Sequence, residues 1–495
     1  MSNKKLIILF ASVIGLSACS KSFLEKAPDN RTELNTVEKV AQLVATAYPS
    51  YPYMAMGEMY SDNVCDKGPL AASVHTNTPY PEMYTYDVVQ STGNNSPTQY
   101  WNGVYEGIAA ANQALEAIDE YKLGTAADPY KGEALLARAY GHFMLVTFFS
   151  KAYEIGGTNE SPGIPYVTKP ETVAIQDYSR GTVASVYEQI EKDIEAGLPL
   201  LGKGSWEVPE YHFTPSAAHA FATRFYLFKG EWQKVIDHAN LVFPNGDYTG
   251  NLRNPVADAS TLSSTDYAAW MNKATSKFNL LLHEAYSVYQ RSSSFPLSRY
   301  GFGPSVYTGY FTTKTPTGAI FYQRAWSYAT ASYTLMKYNE FFYVTNATAN
   351  TGYPYIMIPL LTSDEALLNR AEAYAQLGLL TNAIADCNTY AKTKTTSYSA
   401  TTHAVTTTKS KAYFGVADDK QSIILTVLDF KRRGFTTEGL RWFDILRHKI
   451  TVKHDLVDAT GAVTNSIEVK ADDNRRMFQI PETAQKLSNL SPNPR

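Results

Sequence analysis

Residues 363–390, SDEALLNRAEAYAQLGLLTNAIADCNTY, decide how this chain folds. Leu367, Ala371, Tyr374 and Leu377 recur at steps of three and four, so they share one helical face. Gly378 follows where a helix C-cap favours a residue that tolerates positive φ. Ala383, Ile384, Cys387 and Tyr390 make a second apolar stripe. Two amphipathic helices with so short a break fold back as an antiparallel pair. The pattern stands once more, 148 residues earlier. There Tyr226, Gly230, Val235, Ile236, Ala239 and Asn240 match Tyr374, Gly378, Ala383, Ile384, Cys387 and Asn388. The match predicts that Tyr226 and Tyr374 are both buried between helices.

An aromatic, a turn glycine and small residues at these spacings resemble a degenerate tetratricopeptide (TPR) repeat. One such pair buries only one face, so pairs are stable when stacked. Helical periodicity also marks residues 37–59, interrupted near Pro49 and Pro52. Trp101, Tyr105, Ile108, Asn112 and Leu115 line another helix. Asp128-Pro129 opens the next, which carries Leu135, Leu136, Ala139, Tyr140 and Phe143. Tyr187, Ile190 and Ile194 mark one more, and two further helices fall at 423–433 and 437–448. Residues 65–98 and 243–359 are different, being rich in Ser, Thr, Asn and Tyr with few helical runs. Residues 280–289 read equally as a strand or a short helix. Residues 393–410 are Thr-rich and read as a loop or hairpin.

Charged residues make up 18% of the 495, against about 25% in an average globular chain. Tyr, at 36, outnumbers Phe, at 22, which favours a surface of uncharged polar and aromatic groups. Net charge is −3 and no long basic run occurs, so the electrostatic footprint of nucleic-acid binding is missing. The amino terminus reads as a targeting segment. Lys4 and Lys5 precede an apolar run at 6–16 that is too short to span a bilayer. Leu16-Ser17-Ala18-Cys19 then resembles a bacterial lipobox, in which the chain is cut before the Cys and acylated on it. Several acyl chains give durable anchoring where one is marginal. Cys65 and Cys387 remain, and Cys387 lies on an apolar stripe, so no disulfide is expected between them.

No G-x-S-x-G, H-E-x-x-H, P-loop or Gly-rich dinucleotide turn occurs. The nine His show no metal spacing, and no cofactor is implied. Asp62, Asp66, Glu82 and Asp87 share one loop-rich region and are the carboxylates open to glycoside cleavage. A binding module instead needs aromatic platforms and a few placed polar groups. Two stretches offer them. One holds Asp62, Asn63, Tyr80, Tyr84 and Tyr86; the other holds Tyr300, Phe302, Tyr307, Tyr310 and Trp326. Trp101 and Trp442 sit on helical faces and are assigned to the core.

Taken together, the motifs resemble the SusD/RagB family of outer-membrane nutrient-binding lipoproteins. Cys19 is followed by Phe23-Leu24-Glu25 and Pro28, similar to the family's mature start. Ala134, Arg138, Ala139, Tyr140 and Phe143 resemble its "ARAxxxF" helix, and Arg370-Ala371-Glu372-Ala373 its "RxAEA" helix. Residues 438–444, EGLRWFD, look like its late "EGxRWFD" signature, and Phe478, Ile480 and Pro481 like its closing "FPIP". The resemblance implies a mainly α fold, with TPR-like pairs in a right-handed superhelix and an irregular, loop-rich half packed on it. It divides the chain into a signal peptide at 1–18, a lipid-anchored tether at 19–36 and a single domain at 37–495. Helices are then expected at about 37–58, 97–150, 180–243, 361–391 and 423–448, and a ligand-binding part at about 60–97 and 244–360. The implied role is non-enzymatic: capture of an oligosaccharide at the cell surface beside a TonB-dependent, SusC-like transporter. A peptide ligand and a surface glycoside hydrolase are the alternatives.

Overall fold

Thr362 opens the decisive helix. Its hydroxyl accepts the Glu365 N–H at 3.4 Å, while Asp364 and Glu365 place negative charge on the first turn. We describe residues 33–495 of a computed structural model, apart from 70–78, 172, 174, 175, 292, 293 and 330. The lipobox, Cys19 and most of the tether lie outside the described residues.

The helices that carry the fold are α1 (Val37–Val44), α2 (Met54–Met59), α3 (Tyr80–Tyr84), α4 (Pro97–Glu120), α5 (Asp128–Phe149), α6 (Val183–Gly197), α7 (Pro215–Lys229) and α8 (Trp232–Val242). They continue as α9 (Ser264–Asn272), α10 (Ser363–Gln376), α11 (Leu380–Lys394), α12 (Thr407–Phe414), α13 (Asp419–Gly434) and α14 (Arg441–Arg447). Successive helices pack as neighbours: α4 on α5, α5 on α6, α7 on α8, α10 on α11, and α12 on α13. Helix α10 also packs against α7, α8 and α13, which joins the later pairs, and α5 meets α7, which joins the earlier ones to them. The fold is therefore mainly α, built from TPR-like pairs. Gly230 and Gly378 end the first helix of two pairs at φ +74° and +77°, a conformation open to Gly at low cost.

Buried arginines clamp the stack. Arg138 on α5 bonds Asp193 on α6 twice at 2.7 Å. Arg224 on α7 bonds Glu365 on α10 twice at 2.6 Å, and Arg370 on α10 bonds Asp386 on α11 twice at 2.8 Å. Forked pairs of this kind fix geometry as well as charge. The 148-residue offset puts Ala222 and His238 where α10 and α11 have Arg370 and Asp386. The earlier pair thus lacks the clamp. His238 instead meets His219 across it, Nδ1 to Nδ1 at 2.9 Å, and stacks on Tyr226 at 5.3 Å.

That exchange corrects one expectation. Tyr226 is 1% exposed, because His238 lies over its ring. Tyr374 is only half-buried. Asp386 stands in the position of His238, its carboxylate is turned to Arg370, and among the described residues no ring stacks on Tyr374. Leu377, on the last turn of the same stripe, is exposed.

The strands are β1 (Cys65–Asp66), β2 (Asn279–Tyr286), β3 (Tyr300–Gly301), β4 (Ala325–Ala329), β5 (Ser332–Leu335), β6 (Glu340–Asn346), β7 (Thr351–Thr362), β8 (Val452–Val457) and β9 (Val463–Val469). They form one three-stranded antiparallel sheet, β2-β7-β6, and the two-stranded pairs β1-β3, β4-β5 and β8-β9. Residues 280–289, open between strand and helix, are mostly strand β2. The Thr-rich 393–410 segment is not a hairpin: it holds a short helix at Ala400–His403 and the start of α12. The Thr406 hydroxyl caps α12 by accepting the Lys409 N–H, so threonine acts there as a helix start rather than as a strand former.

The main apolar cluster draws on residues from Val40 to Leu490, so both ends of the described chain enter it. Gly57 on α2 faces Gly439 just before α14. A Cβ on Gly57 would overlap the Gly439 carbonyl, and Gly439 itself has φ +76°. Backbone meets backbone there only because neither residue has a side chain.

Candidate functional site

The two loop-rich stretches converge. Cys65 pairs with Gly301 and Asp66 with Tyr300 across the β1–β3 ladder. Arg299 locks the join by donating to both oxygens of Asp66 at 2.8 and 2.7 Å.

Most of the expected ligand residues turn inward there. The Tyr84 ring is sandwiched between Tyr300 at 4.4 Å and His454 at 4.2 Å. Tyr80 shares hydrogen bonds with Ser294 at 2.9 Å and Asn95 at 3.0 Å. The Tyr86 hydroxyl donates to the Tyr60 carbonyl at 2.5 Å. Phe302 packs edge-on to Phe311 at 5.0 Å. Asn63 lies between Glu58 and Arg432, bonded to both. Asn63, Tyr80, Tyr84, Tyr86, Tyr300 and Phe302 are therefore core residues, not a ligand surface. The physical reason is common to the tyrosines Tyr80, Tyr84 and Tyr86: each has a protein partner for its hydroxyl, which makes the ring as acceptable inside as Phe.

Asp62, Tyr307, Tyr310 and Trp326 stay toward the outside. Asp62 accepts from Arg441 Nε and Nη2 at 2.9 and 3.0 Å, and Arg432 lies 3.0 Å from its other side. Burial alone would raise the Asp62 pKa, but the Arg441 and Arg432 charges outweigh it and hold the carboxyl well below its usual range. The Arg432 guanidinium also lies 3.6 Å from the centre of the Tyr310 ring and donates to its hydroxyl. Tyr310 belongs to the single π-helical turn Tyr307–Phe311, a local geometry frequent at functional sites. Tyr307 stacks flat on Tyr333 at 4.3 Å. Trp326 is 40% exposed on β4, opposite Thr334; Tyr333, two-residue alternation considered, faces the other side of that hairpin.

Tyr310, Tyr413, Phe414, Arg432, Arg433 and Arg441 line an open cavity of about 550 Å³. That volume lies in the range of small-ligand sites. Arg433 is held by Asp429 at 2.8 Å and donates to the Tyr413 hydroxyl at 3.2 Å. Burial raises the pKa of Asp429, against the pull of Arg433. The site so assembled is two exposed or half-exposed rings over a fixed polar network. Its arginines and Tyr413 were missed in the sequence. The signal was present in Lys431-Arg432-Arg433, a cationic run too apolar in its flanks to be a solvated face. A second cavity, of about 430 Å³, lies over Trp101, Tyr105 and Leu487, but its Glu171 is already bonded to Tyr178 at 2.6 Å. Among the described residues, no group of three or more His, Cys, Asp or Glu could hold a metal ion. No helix among them is long and apolar enough to cross a membrane.

Stacked helix pairs, with a cavity between α12, α13, α14 and the turn that carries Tyr310, define a helical-repeat scaffold. Residues 22–227 match a SusD-like family profile described as "Starch-binding associating with outer membrane". A "SusD-like protein" of Bacteroides ovatus is 25% identical over 147 residues, which are 29% of this chain and 27% of that one. The alignment thus spans about a quarter of that relative. A SusD superfamily protein of Bacteroides thetaiotaomicron superposes with a TM-score of 0.67 at 19% identity, over 93% of this chain and 100% of that one. A SusD-like carbohydrate binding protein of Bacteroides vulgatus superposes with a TM-score of 0.62 at 15% identity, over 92% and 97%. The chain is thus similar to SusD-like proteins in sequence over residues 22–227 and in fold over nearly its whole length.

Proposed function

We propose that this protein binds an oligosaccharide in the Tyr310 cavity and holds it without cleaving it. The observation that carries the reading is the meeting of Tyr310, Tyr413 and Arg432, from separate parts of the chain, at one cavity, with Asp62 paired to Arg432. A sugar ring has apolar C–H faces that suit Tyr310 and Tyr413, and hydroxyls that suit the carboxylate and guanidinium edges. The family's starch-binding description and the carbohydrate-binding relative support the ligand class. Two of the four carboxylates open to hydrolysis, Asp62 and Asp66, are clamped by arginines. Asp62 held ionised is a poor proton donor, which favours a binder over a hydrolase.

The reading places the protein at the outer membrane, anchored through acylated Cys19, as a single domain over 37–495. It delivers captured glycan to a TonB-dependent, SusC-like transporter. A tethered binder cannot move a large solute inward, so the transporter has to be a separate protein.

Calorimetric titration of the full chain with gluco-, manno- and xylo-oligosaccharides tests the ligand. Binding of one series, with the sugar recovered at its original length, supports the proposal. Binding of short peptides alone sinks it in favour of the peptide reading, and shortened sugar sinks it in favour of a hydrolase. For the setting, Cys19→Ala should shift the protein from the membrane to the soluble fraction. A gentle detergent pull-down should recover the transporter; recovery of this protein alone argues for a free-standing binder.

A further inference from the structure

Strand β6, sequence EFFYVTN, is exposed at all seven residues. It pairs with the outer half of β7, so Phe341 faces Tyr355, Phe342 faces Pro354 and Tyr343 faces Tyr353. The inner half of β7 is buried, and the hairpin therefore projects from the body. Apolar groups stand on both of its faces: Phe341, Phe342 and Tyr343 are 45%, 51% and 55% exposed. Single exposed apolar residues need no explanation, but a contiguous aromatic patch marks an interaction site.

One face is a continuous row of rings. Phe341 stacks on Tyr355 at 5.4 Å and Tyr343 on Tyr353 at 5.2 Å. Tyr353 meets Tyr286 of β2 at 4.3 Å, and Tyr286 meets Tyr51 at 5.7 Å. The Tyr286 hydroxyl donates to that of Tyr353 at 3.2 Å, so the row carries ordered hydroxyls along with its rings. Charge is the second observation. Residues 341–362, FFYVTNATANTGYPYIMIPLLT, contain no Asp, Glu, Lys, Arg or His. The charged pair at the hairpin base, Arg291 with Glu340, is closed on itself by bonds of 2.5 to 3.2 Å.

We infer that this ring row is a second binding surface, distinct from the Tyr310 cavity, for an uncharged polysaccharide chain. Apolar ring faces with hydroxyls at their edges match the two-sided chemistry of a sugar chain. A polyanionic glycan would find no counter-charge there, and the carboxylates nearest the row, Glu284 beside Tyr286 and Glu106 beside Tyr51, would repel it. A row of rings on a projecting ribbon suits a chain that runs past it, where the cavity suits a short segment. Two contacts on one chain raise avidity through effective concentration. The inference rests on the glycan-binding reading.

The test uses the full chain and the double variant Phe341→Ala/Tyr343→Ala, whose side chains are solvent-facing. Electrophoresis through gels holding soluble starch, galactomannan, xyloglucan or polygalacturonate measures polymer binding; calorimetry with a short oligosaccharide measures the cavity. The expected result is retardation by a neutral polymer, at least tenfold weaker in the double variant, with oligosaccharide affinity unchanged and no retardation by polygalacturonate. Equal retardation of both proteins overturns the inference while the glycan reading stands. Preference for polygalacturonate also overturns it. Loss of vesicle or transporter binding in the variant, with polymer affinity unchanged, replaces it with a macromolecular interface. If wild type binds neither oligosaccharide nor polymer, the glycan reading itself fails and the inference with it.

Discussion

Arg441 holds Asp62 through two hydrogen bonds, at 2.9 and 3.0 Å, across 379 residues of chain. The same carboxylate faces Arg432 at 3.0 Å, so one anion serves two guanidiniums. The arrangement is asymmetric. Removing Asp62 strands two cations, whereas removing Arg441 leaves Asp62 still paired with Arg432. Breaking a buried pair by taking one partner typically costs about 3–5 kcal/mol. Asp62 keeps some solvent contact, so the lower end of that range applies. Asp62→Ala is expected to lower the urea midpoint more than Arg441→Gln does. Equal or reversed losses would mean that Arg432 does not share the carboxylate.

Glu58 gives a pH dependence. Burial pushes its carboxyl up to about 7, against the bonds it accepts from Gly439 N–H and Asn63. The folded pKa lies above the unfolded value of about 4.3. Its contribution is therefore fully present below about pH 4 and is lost as pH rises through about 7. The loss on going from acid to pH 8 is on the order of 3 kcal/mol. Glu58→Gln mimics the protonated form. Stability measured by urea unfolding should match wild type near pH 4 and exceed it at pH 8. A difference that does not change with pH would show that folding does not raise the Glu58 pKa.

The two copies of the helix pair should respond unequally. Tyr226→Ala removes a ring enclosed by His238 and Phe225 and is expected to cost about 3–5 kcal/mol. Tyr374→Ala removes a half-exposed ring and should cost less than half as much. Chemical denaturation of both variants checks this, and equal losses would place Tyr374 deeper than described here.

At the cavity, Tyr413 is the cleanest probe, being exposed and bonded only weakly to Arg433. Tyr413→Ala should weaken oligosaccharide affinity at least tenfold with the thermal melt within a few degrees of wild type. Unchanged affinity would remove Tyr413 from the site.

The helix pairs were legible because their signal is local. Periodicity, a turn glycine and a cap all lie within thirty residues, and the repeat at Tyr226 reinforced them. The site was less legible because the fate of a loop tyrosine is decided far away. Whether Tyr84 faces water depends on Tyr300 and on His454, whose ring nitrogen also bonds the Tyr84 carbonyl across 370 residues. Asp62 carried a readable charge, but its partners Arg432 and Arg441 sit at the other end of the sequence. Trp326 and Tyr310 were found by composition alone. The ring row on β6 had a plainer signal, FFY inside 22 uncharged residues, which loop composition masked.

The meeting of Gly57 with Gly439 has a consequence for the order of assembly. Beside it, Glu58 accepts the Gly439 N–H across 381 residues. The layer around Gly57 therefore cannot close until residue 439 has been synthesised. Until then α2, buried along its whole length in the finished fold, has no seat. Contacts between such distant residues are formed late and slow folding. A fragment ending after residue 227, the part that carries the family match, would lack the strand, helices and glycine that its first helices rest on. The contact works as a clasp: the half made early, at Gly57, stays open until the half at Gly439 has been made.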